Sequence, residues 1–293
     1  MLAVPLLIEK IVRGRVVPQL DKPLVKVLRS IPGVGRLIYR AAGRKLNAAF
    51  GGALRFFGIG GAPLAADVEA ILYRSGFPYA IGYGLTETSP LIAGTSPGRN
   101  YPRSTGTPTP GVSVRIRDGE IQARGPNIMK GYYRDPERTA EVMTDDGWFR
   151  TGDLGEIDGR GLLYVKGRSK TVILGSNGEN IYPEAIESIL NQFRGVVESL
   201  VVQKGSRLVA RVRLDYEQFE RHAKSLASSA VEAVERAGSA AVDAAEHASA
   251  YLEEMRVKAN ARLSAFSRLS DVIEQIEPFE KTPTFKIKRY LYQ

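Results

Sequence analysis

The chain contains no cysteine. That excludes disulfides, a thiolate nucleophile and any zinc site built on thiolates, and it fits a protein kept in a reducing compartment. Histidine is nearly as scarce. His222 and His247 are the only two, and both fall in a polar, alanine-rich stretch of helical texture. A Ser-His-Asp triad or a histidine-based metal site is therefore not expected. No apolar run approaches the roughly eighteen residues that a membrane span requires. The apolar start, Met1 to Ile8, is short and lacks a small-residue cleavage site, so it does not read as a signal peptide. Acidic residues are sparse in one region. Residues 1–60 carry eleven Lys and Arg against only Glu9 and Asp21, which accounts for the whole formal charge of +9. Basic segments interleaved with apolar residues bind anionic membrane surfaces or nucleic acid, and otherwise serve as solvated helix faces.

What is present suffices for one large or two modest soluble domains: 293 residues, 43% hydrophobic and 25% charged. Residues 3–50 read as helices interrupted by Pro18, Pro23 and Pro32-Gly33. Leu54 to Ile59 has a buried-strand pattern, Leu64 to Ser75 has helical spacing, and Phe77 to Ile81 is a second strand. Strand, turn, helix and strand in that order belong to a parallel sheet with ligand loops at the strand ends. Gly58 and Gly60 begin a dinucleotide-like pattern, but Pro63 stands where its third glycine belongs, so the fingerprint fails. From Gly106 to Gly167 the period changes to two, with turn signals at Asp118-Gly119, Asp146-Gly147 and Asp158-Gly159. This predicts a small antiparallel, barrel-like unit attached to the parallel sheet.

The chain then changes body. Gly167 to Lys170 forms a Gly-Arg-x-Lys break, after which strands are expected near Val197 to Gln203 and Leu208 to Leu214, with a helix starting at Pro183. The fold class expected is α/β: residues 1–168 as part of a large domain, and 169–293 as a small α+β domain with a helical insertion about 216–266. Within that insertion small or apolar residues alternate steps of four and three from Ala230 to Met255. Such a seam either covers the small domain's sheet or forms an arm for self-association.

Several residues are candidates for chemistry. Tyr83, flanked by Gly82 and Gly84 after a strand, lets a planar base approach and stack; its alternative is a core strand aromatic. Thr86 offers a hydroxyl for a phosphate oxygen, and Glu87 a hard oxygen ligand for Mg²⁺. Asp153, after a Thr-Gly turn, is an acceptor-only carboxylate when ionised, or simply a turn cap. Arg168 carries a fork of donors for ribose or phosphate oxygens. Lys170 and Lys286, taken alone, are surface lysines.

An ordered series of segments changes their weight: Gly60 to Leu64, Gly82 to Thr88, Gly147 to Asp153, Gly167 to Lys170, Gly175 to Glu184, and Thr282 to Lys286. Together they resemble the AMP-forming acyl-CoA synthetases, the adenylating superfamily that includes luciferases and peptide-synthetase adenylation domains. The Thr-Pro-Thr-Phe-Lys end resembles the long-chain fatty acid branch. The resemblance implies that Gly61, Ala62 and Pro63 border adenine, that Tyr83 stacks on it between Gly82 and Gly84, and that Thr86 and Glu87 contact phosphate and metal. It implies that Asp153 accepts from both ribose hydroxyls, with Arg168 beside it, and that Lys170 is the hinge of a mobile lid domain. Gly178 would line the passage for the pantetheine arm of coenzyme A, although Asn177 departs from the usual glycine. Lys286 would be the catalytic cation at the α-phosphate, with Lys288 as the fallback.

The family's upstream phosphate loop, ending in Pro-Lys-Gly, has no counterpart here, nor is there a GxxxxGK[ST] loop. The expectation is a C-terminal fragment of a long-chain fatty acid CoA ligase, poorly active or inactive alone, using ATP, Mg²⁺ and coenzyme A. Its expected partners are the missing N-terminal half, a fatty acid, a membrane surface through residues 1–50, and a second copy through the helical insertion. No nucleic acid is expected. A cytoplasmic location, peripheral at the membrane, fits this reading. The alternatives are transfer of the adenylate to a carrier protein, or a non-catalytic module that binds a membrane surface or partner.

Overall fold

A computed structural model describes residues 1–175, 178–215, 240–282 and 287–292. The chain divides into two compact units, Met1–Ser169 and Lys170–Gln293. No described helix is long and apolar enough to cross a membrane.

In the first unit β1 (Leu2–Ala3) leads into α1 (Pro5–Ile11), whose proline sits in the first turn, where a missing N–H costs nothing. Ile8, Val12, Val16 and Leu20 are buried at intervals of four. A pure α-helix, at 3.6 residues per turn, would wind such a stripe around its axis. Here Val12–Val16 forms a π-helical turn, closed by the Val17 N–H on the Val12 carbonyl, before α2 (Val17–Leu20) resumes. The wider turn brings the stripe back towards one face. Pro18, expected to interrupt the helices, is instead absorbed in the first turn of α2. α3 (Pro23–Ser30) and α4 (Val34–Ala48) follow, separated at Pro32-Gly33, where Gly33 takes φ 85°.

The central sheet is built by β2 (Phe57–Gly60), α5 (Ala66–Ser75) and β3 (Tyr79–Tyr83), with β1, β2 and β3 parallel. Gly76 ends α5 in the left-handed conformation that closes helices. β4 (Ala93–Gly94) and β5 (Thr107–Pro108) extend the sheet antiparallel, in the order β1-β2-β3-β4-β5. Phe57 is fully buried in the layer between sheet and helices, its ring 5.3 Å from Phe50 and 5.6 Å from Phe77.

A second sheet in the same unit comprises β6 (Ser113–Arg117) and β7 (Glu120–Arg124) and, after α6 (Pro136–Val142), β8 (Phe149–Ile157) and β9 (Leu163–Arg168). Its strands are antiparallel in the order β6-β7-β8-β9. The period-two pattern therefore gives an open sheet and not a closed barrel; four strands are too few to wrap around a filled interior. Its Ile121, Ala123 and Leu163 pack with Ile92 and Ala93, which joins it to the β4 side of the first sheet.

The second unit opens with a small hairpin, β10 (Ile173–Leu174) and β11 (Asn180–Ile181), then α7 (Pro183–Leu190). Its sheet is β12 (Val196–Lys204), β13 (Arg207–Leu214) and, after α8 (Ala240–Asn260), β14 (Asp271–Glu274). β13 lies in the middle, antiparallel to β12 and parallel to β14. Leu200 and Val202 pack with Phe279, whereas Val201 packs with Ile186 and Leu190 of α7 and with Ala248, Leu252, Met255 and Ala259 of α8. Along the described part of the expected insertion, α8 thus covers its own unit's sheet. Residues 216–239, including Gly238-Ser239, lie outside the described residues.

Phe57 carries the first unit's helix–sheet core. Phe57→Ala should cost about 3–5 kcal/mol of that unit's stability, read as an earlier first transition in urea while the second unit's transition stays in place.

Candidate functional site

The parallel strands set the geometry. Gly60 pairs with Gly82, so the segments after β2 and β3 leave the same edge of the sheet at the same level. Open parallel sheets bind ligands at that carboxyl edge. Gly61 turns at φ 86°, and Ala62 and Pro63 after it are exposed. Gly84 permits a close approach that no side chain allows, because a Cβ there would lie 1.7 Å from the Pro90 carbonyl oxygen. The following short turn, Thr86–Thr88, is pinned from within: the Leu85 N–H donates to Thr88 Oγ1 at 3.0 Å, and that hydroxyl donates to Pro90 O at 2.8 Å. Asn127 fixes it from outside, its Nδ2 donating to the carbonyls of Thr88 and Leu91 at 2.9 Å each. Thr86 remains exposed.

Asp153 enters from the other sheet. Thr151 Oγ1 donates to the Ile121 carbonyl at 2.7 Å and accepts the Asp153 N–H at 3.1 Å. Gly152, at φ 70°, donates its N–H to Glu120 Oε1 at 3.0 Å. The β8–β9 register shifts immediately afterwards, between Leu154 and Gly155. Bulges of this kind re-aim side chains. The outcome is a buried carboxylate, its side chain only 6% exposed, with Oδ2 accepting the Tyr83 hydroxyl at 2.8 Å and Oδ1 facing Arg168 Nε at 2.9 Å. Arg168 lies directly opposite Asp153 in the ladder, and its side chain is half exposed. Burial, and then the Asp153 charge, push the Tyr83 hydroxyl far above its usual range. Tyr83, Asp153 and Arg168, which the sequence suggested separately, are thus in contact.

Glu87 has its own support. Its Oε1 accepts the Tyr132 hydroxyl at 3.0 Å, and its backbone carbonyl accepts the Met129 N–H at 2.8 Å. The Arg138 guanidinium lies 5.1 Å from the centre of the Tyr132 ring. The second carboxylate oxygen of Glu87 has no partner among the described residues. No group of three or more metal-binding side chains occurs among the described residues. One carboxylate beside an exposed hydroxyl nevertheless fits Mg²⁺, which is commonly held by one or two carboxylates together with substrate phosphates. The sequence reading missed Tyr132 and Asn127. A signal was available: Asp135-Pro136 is a helix start, with Asp135 accepting the Arg138 N–H, and it places Tyr132 just outside a capped helix.

Other expected residues lie in the second unit. Lys170 lines a cavity of about 270 Å³ together with Thr171, Leu174, Gln203 and Arg289. Gly178 is exposed at φ 79°. Lys286 falls outside the described residues, flanked by an antiparallel bridge between Lys281 and Ile287. Lys288 pairs with Glu280 at 3.2 Å. The chain end is anchored by Arg289, whose Nη2 donates to Glu187 Oε2 at 2.5 Å while Glu187 Oε1 accepts the Val201 N–H at 2.7 Å. Burial pushes the Glu187 carboxyl up, against the pull of Arg289.

Two predictions follow from the hydroxyls. Tyr83→Phe removes the donor to a buried carboxylate and should cost about 1–3 kcal/mol of stability in chemical denaturation. Tyr79, raised chiefly by burial, and Tyr83 hold their protons in the fold above the value near 10 at which unfolded tyrosines release them. The folded state then binds more protons than the unfolded one, so stability is full below about pH 10 and falls as pH rises beyond it. Ultraviolet titration should show these phenols ionising only as the fold is lost.

Comparison with known proteins places this geometry in context. Residues 3–133 match the family described as AMP-binding enzyme. The chain is 35% identical over 263 residues to a long-chain-fatty-acid–CoA ligase of Mycobacterium bovis, a match covering 87% of this chain and 42% of that protein. It is 35% identical over 202 residues to a feruloyl-CoA synthase of an Amycolatopsis species, covering 64% and 40%. The solved structure of ATP-bound MatB from Rhodopseudomonas palustris matches at a TM-score of 0.63 and 27% identity, over 87% of this chain and 48% of that one. The chain thus spans about two fifths of the length of these curated relatives.

Proposed function

Since the chain belongs to the AMP-binding, adenylate-forming enzymes, we propose that Tyr83, Asp153 and Arg168 form the adenosine pocket of an ATP-dependent acyl-CoA synthetase. The observation that carries this reading is the buried Asp153 carboxylate, held beside the loop edge of a parallel sheet. An ionised carboxylate only accepts hydrogen bonds, and Asp153, already in contact with Tyr83 and Arg168, is the group proposed to take the ribose hydroxyls. The half-exposed Arg168 side chain has room to move outward onto ribose or phosphate oxygens. The glycines around Tyr83 and the exposed Gly61–Pro63 backbone admit the base.

In the first half-reaction a carboxylate oxygen of the acid attacks the α-phosphorus of ATP, the α–β bridging bond breaks, and pyrophosphate leaves. In the second, the thiol sulfur of coenzyme A attacks the acyl carbon, releases AMP and loses its proton to solvent. Thr86 would hold a phosphate oxygen, and Glu87, oriented by Tyr132, would hold Mg²⁺. When bound, the ion supplies positive charge against the phosphates. Lys286 is proposed as the cation at the α-phosphate, Lys170 as the hinge, and Gly178 as part of the passage for the pantetheine arm. A long-chain fatty acid is the proposed substrate, on the Mycobacterium relative and the Thr282 to Lys286 sequence. The feruloyl-CoA synthase relative makes an aromatic acid the second reading. An upstream half like that of the relatives is the proposed partner for turnover.

Calorimetric titration with a non-hydrolysable acyl-adenylate mimic tests the pocket. Asp153→Ala should weaken binding by about 1–3 kcal/mol, and an alkyl-chain mimic should bind more tightly than an aromatic one. Equal binding by the folded variant would place the adenosine elsewhere.

A further inference from the structure

We propose that α3 and the adjoining turns of α4 form a docking face for an anionic lipid surface. Between Asp21 and Asp67 the sequence has no acidic residue, yet it carries Lys22, Lys26, Arg29, Arg36, Arg40, Arg44, Lys45 and Arg55. Asp21 is itself paired with Lys26 at 3.4 Å, so nothing acidic remains to offset the rest.

The aliphatic side chains on this face are the second observation. No residue of α3 is buried. Leu24 and Val27, three apart in α3, lie on one side of the helix, and Ile31 follows at its extended C-terminal end. They are 71%, 64% and 44% exposed, and Leu37 on α4 is 65% exposed. An amphipathic helix ordinarily turns its apolar stripe inward. Here the inward contact is made by Val25, and Leu24, Val27 and Ile31 are exposed. Lys26 on α3 and Arg36 and Arg40 on the adjoining α4 are exposed as well.

The two features together select the occupant. A bilayer surface takes aliphatic side chains below the headgroups and lysine or arginine at the phosphate level. A nucleic acid would use the cations and leave the aliphatic stripe in water. A second copy of this chain would bring like charges face to face, which is costly. The face lies away from the Asp153 pocket in sequence and shares no residue with it, so this inference stands or falls separately from the adenylate reading.

Vesicle flotation of the whole chain tests it, with phosphatidylcholine alone and phosphatidylcholine mixed with phosphatidylglycerol. The expected result is binding to the anionic vesicles only, weakened by added salt. Leu24→Ser/Val27→Ser and, separately, Lys26→Gln/Arg36→Gln/Arg40→Gln should each lower the partition coefficient by about tenfold or more. Neither set touches a buried residue, so unchanged melting curves are expected and confirm folding. The proposal is overturned if the wild type floats with neither vesicle or with both equally, or if either variant set binds like the wild type. It is also overturned if sedimentation shows self-association that the apolar pair abolishes. Duplex DNA binding that only the charge variant loses, without vesicle binding, assigns the face to nucleic acid. Loss of vesicle binding on fusing the upstream half of a relative assigns it to that half.

Discussion

A carboxylate taken out of water must be paired or it will not stay ionised, and the first unit of this protein is arranged around one such group. Asp153 comes from the antiparallel sheet, Tyr83 from the end of the parallel sheet, and Arg168 from the strand beside Asp153. Removing water from a charge is expensive, and the pairing offsets the cost only where the geometry is good and every lone pair is served. The Gly152 turn and the bulge just after Asp153, between Leu154 and Gly155, supply that geometry. Breaking the cluster therefore affects the contact between the sheets.

The same economy of backbone governs the loops. Gly60 and Gly82 are opposite one another, so two segments that meet nowhere in the sequence leave the sheet together. Gly84 lets the chain pass against Pro90, and Asn127 ties the Thr88 carbonyl in place. The result is a rigid edge with an exposed hydroxyl and one carboxylate held by a tyrosine. In the second unit the burden falls on Glu187 and Arg289, which fasten the chain end to α7 and β12.

Much of the fold could be read from the sequence, because apolar runs bounded by glycine mark the strands and helices. The exceptions have specific causes. The strand expected from Leu54 starts at Phe57, since the Asn47 side chain takes both backbone groups of Leu54, at 3.1 and 3.2 Å. Pro18 does not break its helix, because a π turn ahead of it absorbs the misfit. The alternating segment stays open because period two specifies pleat and not closure. Tyr83 and Asp153 each drew notice as individual residues, but their contact spans 70 positions and depends on a bulge that no local pattern announces. Tyr132 was missed because an aromatic beside a helix start is ordinary until its hydroxyl is seen on Glu87.

The central claim is that the Tyr83–Asp153–Arg168 cluster receives an adenosine. Intermolecular NOEs between AMP and the protein test it most directly. The account predicts contacts from the adenine protons to the Tyr83 ring and from the ribose protons to the Asp153 and Arg168 side chains. Saturable AMP binding with NOEs to other residues and none to these three would contradict it.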